Sequence, residues 1–97
     1  MWWIVACDIV EDDQRAAVAG ILDGEGERVQ YSVFECDWAD KRRQEVAAKL
    51  RERIDSETDS VRFYPLCETC RGKAELIGVG MKVGELAEKT KRDGWVV

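Results

Sequence analysis

The chain has 97 residues, enough for one domain and a modest core, with 45% hydrophobic and 36% charged residues and a net charge of −5. That charge argues against a protein that coats nucleic acid unaided, although it leaves room for divalent cations or a basic partner. Histidine is absent, so acid–base or metal chemistry falls to carboxylates, thiols or tyrosines. The longest apolar run, Trp2 to Cys7, is too short for a membrane span or signal peptide. The expectation is a cytoplasmic protein with reduced thiols.

Trp2-Trp3-Ile4-Val5-Ala6-Cys7 reads as a central strand buried on both faces, with Asp8 at its C-terminal end and Ile9 and Val10 as an extension. Glu11-Asp12-Asp13 reads as a loop and helix start, with Asp12 placed to cap. Ala17, Val18, Ile21 and Leu22 repeat at helical spacing, and Gly24 and Gly26 stop that helix. Arg28 to Trp38 is extended, as one long bent strand or two short ones. A second helix starts at Asp37 or Asp40, with Val46, Ala47, Leu50 and Ile54 as its apolar stripe. Ser56 to Ser60 is a loop. Val61 to Leu66 is a further strand, which Pro65 ends or places at an edge. Leu76 to Gly80 reads as a short extra strand, followed by a charged helical stretch and a terminal Trp95-Val96-Val97.

This order is the α+β, ferredoxin-like βαββαβ pattern with an added C-terminal strand. It predicts a single domain over 1–97, with a core at 1–66 and an extension at 67–97 that serves a dimer. Helices cover one sheet face. Trp2, Trp3, Val29, Tyr31 and Phe63 exceed what that face consumes, so two sheets are expected to pack face to face in a homodimer.

Asp8 is the leading chemical candidate, because a carboxylate ending a buried strand suits magnesium. One carboxylate per chain is a poor site, whereas two meeting across a two-fold axis make a plausible one. A plain turn or capping aspartate is the competing reading. Glu11, Asp12 and Asp13 read as a solvated helix start. Cys67-Glu68-Thr69-Cys70 is a single CxxC with too few companions for zinc unless two subunits combine; Pro65-Leu66 before it suits a redox role only weakly, and it reads as a structural or incidental pair. Lys41-Arg42-Arg43 with Lys49, Arg51 and Arg53 reads as a solvated helix face.

The stretches Ile4-Val5-Ala6-Cys7-Asp8-Ile9, Arg28-Val29-Gln30-Tyr31-Ser32-Val33-Phe34-Glu35 and Asp59-Ser60-Val61-Arg62-Phe63-Tyr64-Pro65-Leu66-Cys67 resemble the second core CRISPR-associated protein ("Cas-two"). The resemblance covers about the first three-quarters of the chain. It implies a ferredoxin-like homodimer whose C-terminal strand reaches its partner. It also implies a heterohexamer of two CRISPR integrase dimers and one dimer of this protein, which captures DNA and inserts spacers. A Mg2+-dependent endonuclease activity on single-stranded RNA or double-stranded DNA is implied as well. The family's metal-binding, catalytic aspartate falls on Asp8. Its motif arginines fall on Arg15 and Arg28, to touch phosphate or hold the active-site loop, and its phenylalanine on Phe34, to support the dimer or the site.

Two departures stand out. Cys7 replaces the usual tyrosine before the aspartate, and Asp13, Gln14 and Ala17 stand where basic residues are frequent, which weakens phosphate attraction beside Asp8. The sequence therefore leaves catalysis open. Its alternative to CRISPR adaptation is a ferredoxin-like RNA-binding or regulatory domain without catalysis.

Overall fold

The computed structural model describes residues 1–78. Its elements are β1 (Trp2–Asp8), α1 (Asp12–Asp23), β2 (Glu27–Gln30), β3 (Val33–Asp37), α2 (Asp40–Arg51), β4 (Ser60–Leu66) and α3 (Glu68–Gly72). The sheet order is β2-β3-β1-β4, and every neighbouring pair is antiparallel. Two crossovers, β1-α1-β2 and β3-α2-β4, interleave around β1 and β3, which is the ferredoxin-like α+β arrangement. No helix among the described residues is long and apolar enough to cross a membrane.

Strand alternation divides β1 into two rows. Val5 is wholly enclosed, and Trp3 and Cys7 pack beside it against Phe34 and Cys36 of β3, Val18 and Leu22 of α1, and Val46 and Leu50 of α2. Trp2, Ile4, Ala6 and Asp8 point the other way. Val5 is the only fully buried residue of the strand, so the expectation of burial on both faces holds for one face of this subunit. The reason is that both helices lie on that side. Trp3 and Phe63, expected partly as surplus for the second face, belong to the helix-covered core. Tyr31 belongs to neither face, being 73% exposed.

The segment left open in the sequence is two strands. Tyr31 and Ser32 form the turn between them, and a register shift falls between Arg28 and Gln30. That turn lacks the glycine or proline that usually marks one, so the composition gave little sign of it. β1 stops at Asp8: Ile9 tucks into the core and Val10 is exposed. Pro65 lies within β4, where an edge strand tolerates its missing N–H.

The helices begin at Asp12 and Asp40, within the expected starts, but Asp12 does not cap. Glu11 and Ala39 are the N-cap residues, and neither contributes a side-chain cap. Asp12, Asp13 and Asp40 instead sit in the first turns, where their charge favours the helix N-terminus. Asp37 ends β3, and Ile54 packs on the core from beyond the end of α2. The short helix α3 was not anticipated. Residues 76–78 are not strand. The remainder of the expected Leu76–Gly80 strand, the charged stretch and Trp95–Val97 lie outside the described residues.

Gly26 carries the chain from α1 into β2 at close quarters. A Cβ there would collide with the backbone oxygen of Glu35 and come within 2.7 Å of Cys36 Sγ. Gly20, inside α1, faces open space. Gly26→Ala should therefore cost about 1–3 kcal/mol through overpacking, whereas Gly20→Ala should add up to about 1 kcal/mol from helix propensity. Chemical denaturation of both variants checks this, and equal effects would contradict the packing described.

Candidate functional site

Asp8 is exposed at the end of β1, opposite Ser60 of β4. The loop that follows it is held from two sides. Arg15, one turn into α1, donates from Nε to the Ile9 carbonyl (3.1 Å) and from Nη2 to the Val10 carbonyl (3.1 Å). Its Nη1 pairs with Asp12 at 2.6 Å. From the opposite side, the Asp59 carboxylate accepts the Val10 N–H at 3.0 Å and the Asp55 N–H at 2.9 Å. Those two backbone donors hold the Asp59 carboxyl below its ordinary pKa. One arginine and one aspartate thus fix the backbone that leaves Asp8.

Arg15 and Arg28 line one cleft of about 550 Å³ between α1 and the β2–β3 turn, together with Cys7, Asp23, Tyr31 and Ser32. Arg28 donates to Asp23 through Nε (3.3 Å) and Nη2 (2.8 Å), and its guanidinium carbon lies 5.2 Å from the centroid of the Phe34 ring. Phe34 is 1% exposed, so it belongs to the helix-covered core and meets this cleft only through Arg28. Cys7 lies on the cleft side of β1, where burial pushes its thiol up to about 11. Asp8, next along the strand, points to the other face. The structure therefore brings together Arg15, Arg28 and Phe34, and leaves Asp8 apart from Arg28.

On its own face Asp8 has a different neighbour. Arg62 of β4 follows two pairs along the ladder, opposite Ala6, and Tyr64 lies opposite Ile4. Arg62 Nη1 donates to Tyr64 Oη at 3.4 Å. That bond raises the guanidinium pKa, with a smaller contribution from Asp8. Farther along, Arg71 of α3 lies over the Trp2 ring, 3.6 Å from its centroid, and donates from Nε and Nη2 to Glu35 at 3.1 and 3.0 Å. Sequence reading named none of Arg62, Asp59, Arg71 or Glu35 as site residues. The two-residue alternation of β4 against β1 carried the signal for Arg62, but only once the register was known.

Among the described residues, no three His, Cys, Asp or Glu side chains gather in a way that could hold a metal ion. Asp8 is exposed and is a hard oxygen donor of the kind magnesium takes. It fits as half of a site, which a second copy would have to complete.

Replacing Asp59 by alanine should loosen the loop after Asp8 without melting the sheet. Amide hydrogen exchange should speed up at Val10 and Asp55 and stay unchanged in β1 and β3. Because the folded carboxyl titrates below its ordinary value, its stabilising contribution is complete above that ordinary value. It vanishes as pH falls through the lower folded value. Unchanged protection at Val10 in the variant would contradict the clamp.

Comparison with known proteins shows the following. The family model "CRISPR associated protein Cas2" matches residues 1–74. A CRISPR-associated endoribonuclease Cas2 of Synechocystis is 47% identical over 64 residues, covering 66% of this chain and 70% of the relative. A Chloroflexus aurantiacus endoribonuclease Cas2 is 41% identical over 81 residues, covering 82% and 87%. The crystal structure of Streptococcus pyogenes Cas2 superposes with a TM-score of 0.74 at 31% identity, over 80% of this chain and 100% of that one. A chain of a partial Cas6-RT-Cas1–Cas2 complex gives 0.70 at 29% identity, over 78% and 89%. With its ferredoxin-like sheet, an aspartate ending the first strand and a family match over three-quarters of its length, the chain belongs to the CRISPR-associated protein Cas2 family.

Proposed function

We propose that the chain is a CRISPR adaptation subunit: a homodimeric adaptor that works with the CRISPR integrase to capture DNA and insert it as spacers. The observation that carries this reading is the likeness to a chain of a solved complex containing Cas1 and Cas2. The open sheet face supports the homodimer. Alternation places Trp2, Ile4, Ala6, Val33, Tyr64 and Leu66 on the side that neither α1 nor α2 covers, beside Glu35, Asp37 and Arg62, and a second copy would cover the apolar part of that face.

Asp8 ends the row that holds Trp2, Ile4 and Ala6, and a two-fold axis passing close to that end of the face would bring two such carboxylates toward each other. Relatives named as endoribonucleases, and one from Thermus thermophilus named as an endonuclease, support a second activity, phosphodiester cleavage at paired Asp8 residues. Magnesium bound there would supply Lewis-acid polarisation of the phosphate and of an attacking water. Asp8 would act as its ligand, Arg15 would keep the loop backbone in place, and Arg28 would present a cation at the neighbouring cleft.

A stacking platform for RNA bases suits the face less well, because Arg71 already covers the Trp2 ring.

Asp8→Asn separates the two activities. It should abolish magnesium-dependent cleavage of RNA and DNA while leaving dimerisation and co-purification with the integrase intact. Full cleavage by the variant would remove Asp8 from the chemistry. Sedimentation should show a dimer at micromolar concentration, and a stable folded monomer would overturn the adaptor arrangement.

A further inference from the structure

The function proposed above makes no use of Cys67 and Cys70, and both are exposed. Cys67 stands between β4 and α3 with an extended backbone, and its Sγ accepts the backbone N–H of Cys70 at 3.4 Å. The turn holding them is tied down. Arg71 N–H donates to the Cys67 carbonyl at 2.8 Å, and Lys73 N–H to the Cys70 carbonyl at 3.1 Å. The Arg71 side chain anchors the turn to buried Glu35 and to the face of Trp2. The two thiols therefore sit on a structured surface turn fastened to the sheet.

Positions three apart on a helical turn lie about 5 Å apart between Cα atoms. That falls inside the span of about 4.4–6.8 Å that a disulfide bridges. Zinc would need about two further donors, and the described residues provide no cluster that supplies them. The other two thiols are unsuited to exchange. Burial pushes Cys36 up to about 12 and Cys7 up to about 11. The exposed pair is polarised instead: hydrogen bonding from Cys70 lowers the Cys67 pKa, and that of Cys70 is raised in return.

We propose that Cys67 and Cys70 form a redox-active dithiol that undergoes reversible thiol–disulfide exchange with small-molecule disulfides of the glutathione type. The Cys67 thiolate attacks one sulfur of the oxidised disulfide, forming a mixed disulfide and releasing one thiolate, which takes up a proton. Cys70 then loses its proton and attacks Cys67 Sγ, closing the Cys67–Cys70 bond and releasing the second thiol. Two electrons pass from the protein to the small disulfide, and excess reduced thiol reverses both steps.

The test equilibrates the full chain in glutathione buffers of graded oxidised-to-reduced ratio, quenches with an alkylating agent and maps the thiols by mass spectrometry. A bridge within one subunit should appear and disappear reversibly with the ratio, and buried Cys36 should be alkylated only after unfolding. Cys70→Ser should stop at a glutathione adduct on Cys67. Cys67→Ser should form adducts more slowly than Cys70→Ser, because Cys70 lacks the backbone N–H donation that Cys67 Sγ receives. The proposal fails if both thiols remain free at every ratio, if the bridge forms only between subunits, or if the two serine variants react alike. Stoichiometric zinc uptake by the reduced chain that both serine substitutions abolish would also overturn it, making the pair a metal site.

Discussion

The structure depends on β1 being hydrogen-bonded along both of its edges. Seven residues pair with β4 on one side, and five of them pair with β3 on the other. This strand organises both crossovers: α1 leaves from its end, and α2 connects the strands that flank it. Its alternation sorts the protein into a helix-covered core around Val5 and an open face headed by Asp8. A one-residue slip of β1 would turn Val5 outward and Asp8 into the core, so burying Val5 also specifies where the carboxylate points.

The open face is not bare within the chain. Arg71 crosses it from α3, stacking on Trp2 and bonding Glu35, which is only 4% exposed. An ionised pair at such a position needs its hydrogen bonds to offset the loss of water, and the two donations from one guanidinium provide them. The face is thus apolar near Ile4 and Ala6, charged at Asp8 and Arg62, and clasped at Trp2. That graded surface suits a partner with its own mixed pattern better than a flat greasy one.

Much of the fold was legible in the residues. The 3.6-residue spacing of Val18 and Leu22, and of Val46, Ala47 and Leu50, reported both helices, because those side chains meet the sheet core. Asp8 stood out because it ends an apolar run. The turn at Tyr31 and Ser32 was hard to read because Ser32 alone, without glycine, proline, asparagine or aspartate beside it, is a weak turn signal, and the cap expected of Asp12 failed because Glu11 holds the N-cap position. Arg62, Asp59 and Arg71 escaped notice for another reason. Asp59 and Arg71 act on partners remote in sequence, and Arg62 comes onto the face of Asp8 only through strand pairing, so all three depend on register and loop placement rather than on local composition. Arg15 and Arg28 entered through family likeness alone, and the structure has them in one cleft, with Arg15 also holding the loop after Asp8 and Arg28 apart from it.

The bond between Asp59 and the Val10 N–H joins positions 49 apart in the chain. A contact of that span carries a closure cost, which the pairing of β1 with β4, beginning one residue after Asp59, offsets. The loop leaving Asp8 can therefore take its final shape only after β4 has docked. A nascent chain that has released β1, α1 and the β2–β3 hairpin already owns the aspartate but lacks its setting. Maturation of the carboxylate is coupled in time to completion of the sheet.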